Sequence, residues 1–182
     1  MMRTTLLAQA VLAAAILSAP PALAQQRTSA TYDDWTLVCQ AQSGDKPTRL
    51  CEVAQTLSVR TQEGQQVTIG NIALARPVAG QPMKLVLQLP IGVYLPANVS
   101  ISGPDDKPIV NIPFERCQAH GCLAIADLND ANLKTLRTLA EAFTIGFELV
   151  QPNNSRQAIR LRTSNKGLAN ALDAFSKEAA VR

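Results

Sequence analysis

Histidine is nearly missing from this chain: His120 is the only one among 182 residues. Aromatics are sparse too, at one tryptophan, two tyrosines and four phenylalanines, and charged residues make up only 17%. Each shortage excludes something. A serine or cysteine nucleophile would have a single candidate imidazole base, and no G-x-S-x-G accompanies it. Neither H-E-x-x-H nor a glycine-rich phosphate loop occurs. Seventeen Lys and Arg against fourteen Asp and Glu leave a formal charge of +3. That is too little for a dedicated nucleic-acid binder, and the few aromatics do not interleave with the arginines. Low charge combined with 47% hydrophobic residues excludes intrinsic disorder as well.

Hydrophobicity is concentrated at the start of the chain. Residues 1–24 read as a secretory signal peptide: Arg3 is a short basic region, Leu6 to Leu17 an apolar one, and Ala22-Leu23-Ala24 a cleavage site. The apolar run is shorter than the roughly 20 residues a membrane span needs, and Pro20-Pro21 ends it. No cysteine stands at the cleavage point and no twin-arginine pair precedes it, which excludes lipoprotein and twin-arginine processing signals. Cleavage before Gln25 lowers the hydrophobic share to about 44%, an ordinary globular value, and the formal charge to +2. The expected organisation is therefore a signal peptide (1–24), a flexible polar lead (25–32) and one domain (33–182). No later segment is long and apolar enough to cross a membrane.

All four cysteines lie in the mature part, and an even number in an exported chain points to disulfides. Of the three connectivities, the sequence-local one is favoured. Cys39 ends the apolar run from Trp35 and Cys51 opens the next, so a bond there would tie adjacent antiparallel strands. Cys117 and Cys122 flank Gln-Ala-His-Gly, whose glycine can take a positive φ in a tight turn. The competing reading is metal ligation by Cys117, His120 and Cys122, which needs reduced cysteines and a fourth ligand from elsewhere. A redox pair is weaker still, because the spacing is C-x4-C and not C-x-x-C.

The mature chain consists of short apolar runs separated by Gly, Pro, Asn and Asp, the pattern of an all-β domain. Strands are expected at Trp35 to Cys39, Leu50 to Val59, Val67 to Ala75, Val99 to Ile101, Ile109 to Phe114 with an interruption at Pro113, and Leu123 to Ala126. Met83, Leu85, Leu87 and Leu89 alternate with Lys84, Val86 and Gln88 in the clearest period-2 segment. Phe143 to Leu149 and Gln157 to Arg162 form a further pair across Pro152-Asn153-Asn154. Between Pro90 and Pro96, Ile91 to Leu95 reads as an edge or loop segment. Two helices are expected: one capped by Asp127 or Asn129 and running to Ala140, the other from Gly167 to Ala180. The fold class is mainly β: an antiparallel β-sandwich or small barrel with two short helices packed on it, and two disulfides.

Candidate chemistry is thin. The carboxylates Asp33, Asp34, Asp105, Asp106, Asp127 and Asp130 fall in turns or at a helix start, where they serve as caps and solvated charge. Acid–base catalysis on a glycan would instead need two of them in contrasting environments. No catalytic, cofactor-binding or metal-binding set emerges, and no cofactor is expected. Arg156, Arg160 and Arg162 share parity on one strand and form a candidate anion-binding face. The plainer reading is a solvated strand face whose charge discourages edge aggregation, with Ile159 and Leu161 turned inward. Trp35 reads as core beside a disulfide, and Tyr94 stays open between core and binding surface.

Several ordered motifs resemble the invasion-associated locus B family. They are Asp34-Trp35-Thr36-Leu37-Val38-Cys39, Leu50-Cys51-Glu52-Val53 with Gln55, and the Leu87 to Pro96 segment with Gly92 at its centre. Ile112-Pro113-Phe114-Glu115-Arg116-Cys117 through Gly121-Cys122 and Gly167 to Leu172 complete the likeness, which spans about Asp33 to Ala174. The resemblance implies a compact exported β domain of bacterial envelopes, periplasmic, secreted or associated peripherally with the outer membrane. It links the family, in some host-associated bacteria, to entry into host cells. The export signal, the disulfide-stapled β domain and the missing catalytic set point to a non-enzymatic role through a binding surface, with an envelope or host-surface partner and no nucleic acid. The resemblance carries over only the four cysteines, as structural disulfides. A glycan-active enzyme using carboxylates and a small-ligand or lipid carrier with a cavity between sheet and helix are the alternatives.

Overall fold

The computed structural model describes residues 27–42, 48–78 and 80–180, so the expected signal peptide lies outside the described residues. Eleven strands and two helices are described. β1 (Arg27–Tyr32), β2 (Trp35–Gln42), β3 (Thr48–Arg60), β4 (Gln66–Ala75) and β5 (Met83–Leu89) form a meander. They are joined by β8 (Phe114–Gln118) and β9 (Gly121–Leu128) in a seven-stranded sheet of order β1-β2-β3-β4-β5-β9-β8. β6 (Val99–Ser102), β7 (Pro108–Ile112), β10 (Ala142–Val150) and β11 (Arg156–Ser164) form a second sheet, β11-β10-β6-β7. All pairings are antiparallel and the two sheets stay separate, so the domain is a sandwich and not a closed barrel.

Period-2 patterning places the core. Met83, Leu85, Leu87 and Leu89 are buried while the residues between them are half-exposed, and Trp35, Leu37 and Cys39 do the same on β2. Trp35 is fully buried, its ring centroid 6.5 Å from that of Phe143 on β10. Its indole N–H donates to the Ser164 carbonyl at 3.2 Å, tying β2 to the end of β11 across the sandwich.

The expected strand from Ile109 to Phe114 is divided at Pro113. β7 ends before it in the smaller sheet, and β8 begins after it in the larger one. Proline has no N–H to continue a ladder, so the chain changes sheets there, and the Pro113 carbonyl accepts from the Ile125 N–H at 3.2 Å. A correction concerns the lead. Residues 27–32, expected to be flexible, pair over their whole length with β2 as an edge strand. Arg-Thr-Ser-Ala-Thr-Tyr carries no apolar alternation, but edge pairing rests on backbone hydrogen bonds and tolerates exposed polar side chains.

Both helices pack against the strands. α1 (Asp130–Thr138) lies beside β7 and β9 and is capped by Asn129, whose side-chain oxygen accepts from the Asn132 N–H at 2.8 Å. It stops two residues short of Ala140, because buried Asn165 donates its amide to the carbonyls of Leu136 and Leu139 at 2.9 and 2.6 Å. α2 (Leu168–Ala180) lies on β1, β2 and β3, burying Leu168, Ala171, Leu172 and Phe175 at i, i+3, i+4 and i+7. Gly167 precedes it at φ +86°, where an added Cβ would stand 1.9 Å from the Tyr32 carbonyl oxygen.

Candidate functional site

The cysteines form the two sequence-local disulfides. Cys39 and Cys51 are direct cross-strand partners on β2 and β3, and Cys117 and Cys122 are direct partners on β8 and β9. Gly121 holds the second turn at φ +134°, where a side chain would strike the Leu89 carbonyl oxygen. With both sulfurs of that hairpin in a disulfide, Cys117 and Cys122 offer no thiolate to a metal beside His120. His120 sits exposed at the turn, and its carbonyl accepts from the Gln88 amide at 3.0 Å. Among the described residues, no group of three or more His, Cys, Asp or Glu side chains gathers where a metal could bind.

The candidate carboxylates lie on separate elements. Asp33 and Asp34 form the β1–β2 turn, and Asp105 and Asp106 the β6–β7 turn. Asp127 is paired with Lys84 at 2.6 Å on the larger sheet, and Asp130 opens α1. Positive φ at Asp33 and Asp106 fits their role as turn residues.

Arg156, Arg160 and Arg162 do project from one face of β11, all exposed, with Leu161 buried and Ile159 half-buried on the other. Each is met by a carboxylate: Glu148 at 3.8 Å from Arg156, Asp106 at Arg160, and Glu141 at 3.8 Å from Arg162. Arg156 also lies over the Tyr94 ring, 4.5 Å from its centroid. The face is therefore a row of matched charges, which diminishes its pull on an anion.

The larger sheet carries a different feature. On the outer face of the larger sheet, a cleft of about 550 Å³ crosses β2, β3, β4, β5 and β9. Its size falls within the roughly 300–1,000 Å³ usual for ligand sites. Register builds its floor. Thr36, Ala54, Ala73 and Val86 stand opposite one another on four successive strands, and Thr56, Asn71, Gln88 and Leu123 form the next row. Two alanines side by side leave a depression, and Asp34 and Glu52 border it. Sequence reading missed this site. Its residues are ordinary outward positions on separate strands, and only pairing brings Ala54 beside Ala73.

The space between α2 and the larger sheet is filled by Leu168, Ala171, Leu172 and Phe175, each no more than 2% exposed. A second, smaller cleft of about 190 Å³ opens between β3 and β11 and includes Arg162. No described helix is long and apolar enough to cross a membrane.

Together these features define a disulfide-stapled antiparallel β-sandwich with a polar cleft on one sheet face. Residues 35–176 match the family of the invasion associated locus B (IalB) protein. The chain belongs to the invasion-associated locus B family. Two invasion protein B homologs of Brucella abortus, from strain 2308 and from biovar 1 strain 9-941, are each 32% identical to it over 143 residues. Those matches cover 79% of this chain and 76% of each relative. The crystal structure of invasion associated protein b from Bartonella henselae shares the fold, with a TM-score of 0.65 at 18% identity. That match covers 83% of this chain and 98% of the other.

Proposed function

We infer that this chain is an exported, non-enzymatic protein of the cell envelope, periplasmic or held at the outer membrane, and that it acts through a binding surface. The observation that carries the reading is the cleft on the outer face of the larger sheet, bordered by Asp34 and Glu52 and floored by Ala54, Ala73 and Val86. Solvent-facing sheet surfaces ordinarily carry larger polar side chains, and this one is hollowed by small residues at paired positions. Two disulfides suit an oxidising compartment, and residues 1–24 have the composition of an export signal. The Brucella relatives are named as invasion protein B homologs, which supports a role in host-cell interaction.

The test is site-directed photocrosslinking in the native cell. A crosslinkable residue at Asn71 should capture a discrete partner, and the same residue at Arg160 should not. Ala73→Arg, which fills the depression from an outward position, should abolish the Asn71 product. Capture from Arg160 alone, or an Asn71 product indifferent to Ala73→Arg, would move the binding surface away from the cleft. Fractionation of the same cells tests export: the mature chain beginning at Gln25 is expected outside the cytoplasm, and an uncleaved cytoplasmic protein would refute it.

A further inference from the structure

The shape and charge of the cleft define what fits it. Along β3, Glu52, Ala54 and Thr56 project from the outer face, with Thr36 of β2 opposite Ala54 and Asp34 in the turn just beyond. Glu52 and Asp34 thus border the cleft at levels four residues apart, about 13 Å at the ordinary strand rise. Between them lies the uncharged floor of Ala54 and Ala73.

No lysine or arginine lines the cleft; Arg162, which shares the smaller adjoining cleft with Asp34, is met by Glu141 at 3.8 Å. Among the described residues, neither Asp34 nor Glu52 is in an ion pair, whereas Lys84, in register with Glu52 two strands away, is held by Asp127 at 2.6 Å. Two exposed carboxylates therefore flank a neutral hollow on a protein of net positive charge. The pattern has a direct complement. In an extended chain, side chains i, i+2 and i+4 share a face, and the outer two are about 13 Å apart. The cleft lies on an open sheet face, so a small free molecule would keep much of its surface in water. A segment belonging to a larger partner gains further contacts at the rim.

We propose that the cleft binds an extended basic segment of a partner protein, with the pattern basic-x-small-x-basic. The outer two side chains meet Glu52 and Asp34, and the small central one rests on Ala54 and Ala73. Thr36, Thr56 and Asn71 supply hydroxyl and amide groups to the segment's backbone. The proposal rests on the reading of the cleft as the binding surface and adds the chemistry of its occupant.

The mature, disulfide-intact protein, labelled with ¹⁵N, is titrated with the peptide Lys-Ser-Ala-Ser-Lys, capped at both ends. Saturable amide shifts are expected at Thr36, Ala54 and Asn71. Asp34→Asn and Glu52→Gln should each weaken binding about two- to fivefold, as exposed ion pairs do, and the double variant about tenfold. Well-dispersed spectra of the variants confirm that they are folded. A peptide of the same composition with adjacent lysines should bind several-fold more weakly, and Glu-Ser-Ala-Ser-Glu should leave the cleft unshifted. Indifference to lysine spacing, unchanged affinity in the double variant, or no shift in the cleft would overturn the proposal. Spermine binding as tightly as the spaced peptide would assign the cleft to a free polycation and equally overturn it. If the cleft peptides fail while Ala73→Arg still abolishes crosslinking from Asn71, the binding-surface reading stands and the basic segment falls.

Discussion

Asn165 is 5% exposed, yet it governs how α1 ends and how the chain leaves β11. Its amide nitrogen reaches the carbonyls of Leu136 in α1 and of Leu139 just after it, and its backbone N–H donates to the Glu141 carbonyl at 2.8 Å. Asn165→Ala leaves the buried Leu136 carbonyl and the part-buried Leu139 carbonyl without this donor and is expected to cost about 1–3 kcal/mol in urea unfolding. Asn165→Asp, nearly the same shape, should be no better, since it removes the donors and brings a charge into the same site. Trp35 is a similar case of one residue joining distant elements. Trp35→Phe keeps an aromatic ring against Phe143 but loses the bond to Ser164, so a loss of about 1–3 kcal/mol is expected from hydrogen bond and cavity together. Gly167→Ala should destabilise more than Gly64→Ala, which meets nothing within 4 Å although both have positive φ. Equal losses in the two thermal melts would show that backbone strain, and not contact with Tyr32, sets the cost.

At the scale of elements, the disulfides close loops of different length. Cys39 and Cys51 are 12 residues apart, and Cys117 and Cys122 are five apart. Chain entropy alone assigns the first about 3 kcal/mol and the second about 2 kcal/mol. Replacing each pair with alanines should therefore lower the denaturation midpoint more for Cys39/Cys51, and the reverse order would mean that native packing outweighs loop closure. Strand β1 offers a second test. Deleting residues 27–32 removes a full edge pairing and the Arg49–Thr28 hydrogen bond of 2.7 Å. Increased amide exchange along β2 is expected, where a flexible lead would leave β2 unchanged. The elements most legible in the sequence were those buried on one face. Met83–Leu89, Ala142–Val150 and α2 announce themselves because one-sided burial imposes a period of 2 or 3.6. β1 was illegible because an edge strand with exposed side chains needs no apolar period.

For the whole molecule, the arrangement of charge separates two surfaces. The β11 face carries three arginines, each matched by a carboxylate from β10, the β6–β7 turn or the segment before β10. Mutual neutralisation predicts weak binding of phosphate or heparin there, with Arg160→Ala changing stability by less than about 1 kcal/mol. A substantial, salt-sensitive heparin affinity lost in Arg156→Ala and Arg162→Ala would restore that face as an anion site. Among the described residues, Asp34 and Glu52 at the cleft are in no ion pair, and Arg162, beside Asp34 in the smaller adjoining cleft, is met by Glu141.

By itself the sequence determined the class of the protein. Apolar alternation, turn residues, four cysteines in local pairs and an N-terminal apolar run are local properties, and physics reads them locally: burial sets the period, φ preference the turns, chain proximity the disulfides. Parity alone placed Arg156, Arg160 and Arg162 on one face. Tertiary structure decided everything that depends on which strand lies beside which. It divided Ile109 to Phe114 between two sheets, supplied Asp106, Glu141 and Glu148 to the arginines, and set Ala54 beside Ala73 to hollow the cleft. Those relations join residues far apart in the chain through backbone pairing that is nearly independent of side chain, so no local pattern records them.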